Sequence, residues 1–240
     1  MTALACGGVR KTYGAFVALD DIEMTVGPGE ILGLAGPNGA GKTTLFDVLS
    51  GRTRADKGAV TLGDRTITSL STHGRARLGL ARTFQAPLVP TSLTVGETLR
   101  AARDAYRPSV TPDAVAHARE LVGLAAPESA LAGGLDTLER RKLLLACLLQ
   151  RPTNVLLMDE PCSGLLADEI DEIDAVIRRI VEERGCAVVV VEHRLELLFA
   201  IAERVIVLDA GSVIAAGPAD EVFELPIVRK AYFEDDGSEA

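Results

Sequence analysis

The stretch Gly36-Pro37-Asn38-Gly39-Ala40-Gly41-Lys42-Thr43-Thr44 decides how the rest of this chain is read. Its first eight residues match the pattern G-x-x-x-x-G-K-[ST]. Glycines at those places let backbone N–H groups turn inward around a β-phosphate. A helix starting at the loop adds the positive end of its dipole. Lys42 reaches the β- and γ-phosphates, and the Thr43 hydroxyl suits Mg²⁺. The flanks agree: Ile31–Ala35 is a short apolar run bounded by turns, which predicts a buried strand, and Thr43–Ser50 is expected to be helical.

A phosphate loop needs an acid at the end of a second buried strand. Leu156-Leu157-Met158-Asp159-Glu160 supplies it. Asp159 is placed to hold Mg²⁺ through water, and Glu160 to polarise an attacking water.

Further out, Ala18–Val26 ends in the turn Gly27-Pro28-Gly29, and Val60–Ile67 resembles another strand. Residues from about 70 to 150 are rich in Leu, Ala and Arg, and Pro87, Pro90, Pro108, Pro112 and Pro127 cut them into pieces. They predict a mostly helical subdomain, approximately 86–150, inserted into a single domain spanning 1–240. Val155–Met158, Ala187–Val191 and Val205–Leu208 are buried strands. Ala167–Arg184 carries Ile170, Ile173, Ile177, Ile180 and Val181 at helical spacing, with acids early and arginines late as the helix dipole prefers. Alternating strands and helices imply an α/β fold with a largely parallel sheet. The acidic end Phe233–Ala240 is expected to fray.

The 240 residues are 48% hydrophobic and 25% charged, which excludes a disordered, collagen-like or disulfide-scaffold chain. A net charge of -9 argues against wrapping nucleic acid. No run approaches the roughly 18 apolar residues of a membrane helix. The N-terminus lacks the pattern of a signal peptide. Cys6, Cys147, Cys162 and Cys186 are scattered, so reduced and mostly buried thiols are expected rather than a metal or disulfide framework.

With these motifs in order, the chain resembles an ATP-binding-cassette ATPase over nearly its whole length. Tyr13 stands where that family carries an aromatic that stacks on adenine. Gln85, in Ala81-Arg82-Thr83-Phe84-Gln85, matches the glutamine joining the catalytic core to the helical subdomain. His193, after Val191-Glu192, matches the switch histidine. The resemblance implies an ATPase fold whose parallel core has an antiparallel β edge. It implies that His193 contacts the γ-phosphate and that Gln85 touches Mg²⁺ and the attacking water. Gly79–Gln85, Val205–Gly211 and Gly217-Pro218 look most like ATP-binding subunits of importers for branched-chain amino acids, or for urea or amides, with lipopolysaccharide-export ATPases as near relatives. That branch implies a second ATPase subunit, transmembrane permease subunits, indirectly a solute-binding protein, and a peripheral place on the cytoplasmic face of the membrane.

Two segments depart from the family. The Leu-Ser-Gly-Gly-Gln signature aligns with Leu135-Asp136-Thr137-Leu138-Glu139, or with the rival Leu131-Ala132-Gly133-Gly134-Leu135. The first leaves Arg140-Arg141 and Ala146-Cys147 near their family positions and is preferred. Asp136 would set a carboxylate near phosphate oxygens, and Leu138 a side chain where bare backbone should approach. Ser163-Gly164-Leu165-Leu166 stands for Ser-Gly-Leu-Asp. In the family both motifs serve the partner's nucleotide, whereas the intact motifs serve the chain's own. The expectation is an asymmetric heterodimer, with a homodimer of two weakened sites as the other pairing left open. The alternatives are a nucleotide-binding regulatory module with little turnover, and a cassette acting on DNA repair or the ribosome. The latter usually has coiled-coil inserts or two cassettes, which this chain lacks.

Overall fold

A computed structural model of the chain describes residues 1–105 and 110–233. The expected fraying of the C-terminal stretch therefore falls, from 234 onward, outside the described residues.

Among the described residues, ten strands form two sheets. Strands β1 (Leu4–Tyr13), β2 (Phe16–Val26), β4 (Lys57–Leu62) and β5 (Arg65–Thr66) make an antiparallel sheet in the order β2-β1-β4-β5. Strands β3 (Ile31–Ala35), β6 (Leu80–Arg82), β7 (Val155–Asp159), β8 (Ala187–Val191), β9 (Arg204–Asp209) and β10 (Ser212–Pro218) make a second sheet in the order β10-β9-β3-β8-β7-β6. All its pairings are parallel except the β9–β10 hairpin at one edge. The predicted strand across Val60–Ile67 is instead a hairpin, because Gly63 takes φ 55° and turns the chain between β4 and β5.

The parallel strands are buried on both faces, and their side chains alternate between two cores. Ile31, Leu156, Met158, Val188 and Val190 face one core. Leu32, Leu34, Val155, Leu157, Val189 and Val191 face the other, with Leu45, Phe46, Val48 and Leu49 of helix α1 (Lys42–Ser50). The β3 strand sits near the middle of the sheet, so the loop at its C-terminal end opens where neighbouring strands also end. Ligands of α/β sheets bind at such ends.

Helix α2 (Thr72–Arg77) is short, and its Arg75 is wholly buried. The Arg75 guanidinium donates to the carbonyls of Val48, Leu49, Leu70 and Thr68, closing the C-terminal turn of α1. Helices α3 (Val95–Asp104), α4 (Pro112–Leu121) and α5 (Thr137–Leu149) pack together, α5 touching both others. Helix α3 begins with a capping box between Thr94 and Glu97. Helix α6 (Ala167–Arg184) follows β7 and buries Ile173, Val176, Ile177 and Ile180 at helical spacing. Helices α7 (Leu195–Ile201), α8 (Ala219–Val222) and α9 (Pro226–Phe233) complete the described chain.

Cys6, Cys162 and Cys186 are buried free thiols, and Cys147 is half-buried. Burial pushes all four thiols up to about 12. No helix among the described residues is long and apolar enough to cross a membrane.

Candidate nucleotide site

The loop Gly36–Gly41 leaves β3 and enters α1. Gly36 has φ 141°, and a Cβ there would lie 2.2 Å from the Leu208 carbonyl oxygen. Gly41 has φ 104°, and a Cβ there would lie 2.7 Å from the Ala18 carbonyl oxygen. No other residue fits either place. The loop is thus wedged between β9 and β2.

Asn38, Gly39, Ala40, Gly41, Lys42, Thr43 and Thr44 line a cleft of about 330 Å³ with Asp159, Glu160, Val191, His193, Ala18 and Phe16. Lys42 is 5% exposed, and its Nζ donates to the carbonyls of Gly36 at 2.5 Å and Pro37 at 2.8 Å. Burial lowers its pKa, while Glu160 and Asp159 oppose that shift. A phosphate would replace weak carbonyl partners with strong anionic ones.

Glu160 follows β7 with φ 47°, a conformation a non-glycine residue rarely holds. Its backbone N–H donates to Val191 O at 2.9 Å, and Arg141 Nη1 donates to its carbonyl at 2.8 Å. These clamps aim the carboxylate. His193 Nε2 lies 2.6 Å from Glu160 Oε1, and Gln85 Nε2 donates to Glu160 Oε2 at 2.7 Å. Two residues remote in sequence meet on this one carboxylate. Gln85 itself is exposed and engages Glu160 rather than lining the cleft with Thr43 and Asp159.

Asp159 is held by a residue the sequence reading passed over. Arg82, at the end of β6, is 9% exposed. It donates to Asp47 Oδ1 at 2.6 Å, Ser50 Oγ at 3.0 Å and Asp159 Oδ2 at 3.3 Å. Its guanidinium lies 5.0 Å from the Phe84 ring centroid and 5.6 Å from that of Phe46. Burial raises the Asp159 pKa, and Arg82 pulls it back. The signal was present: a charged residue ending an apolar strand, three places before Gln85.

Tyr13 is half exposed, with Lys11 Nζ 5.3 Å from its ring centroid, and it is not among the cleft residues. The aromatic at the cleft is Phe16, which pairs with Tyr13 across the Gly14-Ala15 turn. Which of the two aromatics faces the loop depends on the twist of the two strands.

The altered signature also reads differently in three dimensions. Asp136 is the N-cap of α5, and its Oδ1 accepts from the Glu139 N–H at 2.7 Å. Glu139 in turn accepts from Ala126 N–H and from Lys142 Nζ. Leu138, expected to stand in the way of a partner's nucleotide, is 7% exposed and packs into the helical core. The steric objection therefore falls away, and the charge of Asp136 remains. Leu166 is 74% exposed at the start of α6.

A phosphate loop at the end of a central parallel strand, with a clamped carboxylate opposite its lysine, defines a nucleotide-hydrolysing α/β protein. The chain belongs to the ABC transporter family, whose pattern matches residues 19–163, and it is an ATP-hydrolysing cassette of that family. It is 33% identical over 236 residues to the lipopolysaccharide export system ATP-binding protein LptB of Acidithiobacillus ferridurans, covering 94% of each chain. It is 31% identical over 247 residues to the high-affinity branched-chain amino acid transport ATP-binding protein LivG of Salmonella typhimurium, covering 95% of this chain and 96% of that one. Among solved structures, the ADP conformation of MJ1267, an ATP-binding cassette of an ABC transporter, superposes with a TM-score of 0.87 at 25% identity, covering 97% and 98% of the two chains.

Proposed function

We propose that this chain is the energy-coupling subunit of an importer of branched-chain amino acids or related small polar solutes, and that it works in an asymmetric pair with a second ATPase subunit. The observation that carries the ATPase part is the convergence of His193 and Gln85 on Glu160 at 2.6 and 2.7 Å, beside the Lys42 cleft. The likeness to LivG, together with Gly79–Gln85, supports the import part.

In this reading ATP enters the cleft with its phosphates on the loop amides and its adenine against the hairpin that carries Tyr13 and Phe16. Lys42 leaves the Gly36 and Pro37 carbonyls for the β- and γ-phosphates. The Thr43 hydroxyl and the Asp159 carboxylate are hard oxygen donors in one cleft and fit Mg²⁺, which supplies charge neutralisation for the transferring phosphoryl group. Arg82 holds one Asp159 oxygen and leaves the other for that role. Glu160 orients a water for in-line attack, and His193 holds the carboxylate in register until the γ-phosphate arrives. Residues 86–150 act as a helical subdomain that carries the change at Gln85 to transmembrane permease subunits. The chain sits peripherally on the cytoplasmic face of the membrane, reaches a solute-binding protein only indirectly, and has no role on nucleic acid.

The asymmetry rests on Asp136 and Leu166. A carboxylate already occupies the first-turn amides of α5, so a partner's γ-phosphate would meet repulsion there. Leu166 offers an apolar surface instead of the acid used across the pair. The same two residues favour the second reading, a nucleotide-binding regulatory module. ATP turnover by the chain alone, beside Glu160→Gln, separates the two when repeated with the cognate ATPase and permease subunits. Turnover that appears only in the mixture supports the asymmetric pair. Robust turnover by the lone chain removes the asymmetry. No turnover in the complete assembly favours the regulatory module.

A further inference from the structure

The phosphate loop has a contact that its motif does not contain. The Gly36 N–H, the first amide of the loop, donates to the Tyr232 hydroxyl on α9, 196 residues away. Tyr232 is half-buried and packs against the core beneath the parallel sheet. Helix α9 lies against β10, and its Val228 is 1% exposed, so the tyrosine is delivered from an anchored element. Burial holds the phenol up to about 12, so it is neutral at ordinary pH and its oxygen accepts.

The same glycine is engaged on its other side. Its carbonyl accepts from Lys42 Nζ at 2.5 Å, and its Cα faces the Leu208 carbonyl too closely for any side chain. Gly36 is therefore gripped by Tyr232, Lys42 and β9 at once. Lys42 must move from the Gly36 carbonyl to phosphate when nucleotide binds, while the Tyr232 contact holds the Ala35–Gly36 amide on the other side of the same Cα. A loop whose first residue is fixed loses less freedom on closing around an anion.

We propose that Tyr232 is a positioning residue for the phosphate loop: its hydroxyl pins Gly36, so that α9 sets how tightly the loop holds nucleotide. The inference rests on the nucleotide site described above. Tyr232 does not touch the phosphates and acts only through Gly36.

The test is Tyr232→Phe, which deletes one oxygen and keeps the ring. The readouts are the Kd for MgADP by calorimetry and the melting temperature without nucleotide, each on the full chain. Ile180→Val, a change at a buried α6 residue outside the cleft lining, serves as the control for general destabilisation. The expected result is a Kd raised about threefold to tenfold, the scale of one net hydrogen bond, with the Ile180→Val Kd unchanged. A Tyr232→Phe Kd within twofold of wild type overturns the proposal, whatever happens to its melting temperature, because the bond is then fold glue alone. An equal rise in both variants also overturns it. Failure of the unmodified chain to bind MgADP would instead strike the nucleotide-site reading.

Discussion

Glu160 joins a strained backbone, two side-chain neighbours on its carboxylate and a place in the cleft, and the proposed role as general base rests on that combination. Glu160→Gln keeps the shape and removes the base. Turnover should fall at least about 100-fold while nucleotide binding persists, the range expected for a lost general base; steady-state hydrolysis and MgATP titration measure the two. Lys42→Ala has the opposite signature. The protein should stay folded, because the lysine only bridges loop carbonyls, yet it should lose most of its nucleotide affinity. Comparable MgATP Kd values in Lys42→Ala and wild type would remove Lys42 from the phosphate site.

Helix α5 shows how one substitution changes role between sequence and structure. Asp136 looks like damage to a motif, but in the fold it is a sound N-cap. Serine caps as well as aspartate, so Asp136→Ser should change stability by less than about 0.5 kcal/mol while removing the carboxylate that the proposed pair sets against the second nucleotide. ATPase activity of the assembled complex should rise. An unchanged rate would mean that Asp136 does not face the second nucleotide. Helix α1 depends on a different device. Its last carbonyls are closed by Arg75, a buried cation whose removal leaves several acceptors unpaired. Arg75→Met should cost about 2–4 kcal/mol, by analogy with charged hydrogen bonds, and lower the melting temperature by about 5–15 °C for a chain of this size.

Across the molecule, the proposed nucleotide cleft spans β2 of the antiparallel sheet and, from the parallel sheet, the loop after β3 and the ends of β7 and β8. Ligand that binds only the folded state stabilises it by about 2.7 kcal/mol at a hundred times its Kd. MgADP at that excess should therefore raise the melting temperature by about 5–10 °C. Glu160→Gln should retain the shift and Lys42→Ala should lose it. A shift retained in Lys42→Ala would place nucleotide elsewhere on the chain.

What the amino-acid sequence determined by itself was whatever a few adjacent residues encode. The loop Gly36–Thr43, the acid pair Asp159-Glu160, the helix Ala167–Arg184 and the Val-rich strands were all legible, because glycine freedom, strand-end acids and hydrophobic period are local properties. Tertiary structure alone decided what depends on distant chain segments meeting. It turned Val60–Ile67 into a hairpin, set Phe16 rather than Tyr13 at the cleft, and buried Leu138 while leaving Asp136 to cap its own helix. It also brought Arg82 to Asp159 and Tyr232 to Gly36. Those pairings follow from sheet order and twist, which are cooperative over the whole chain, so no window of neighbouring residues could carry them.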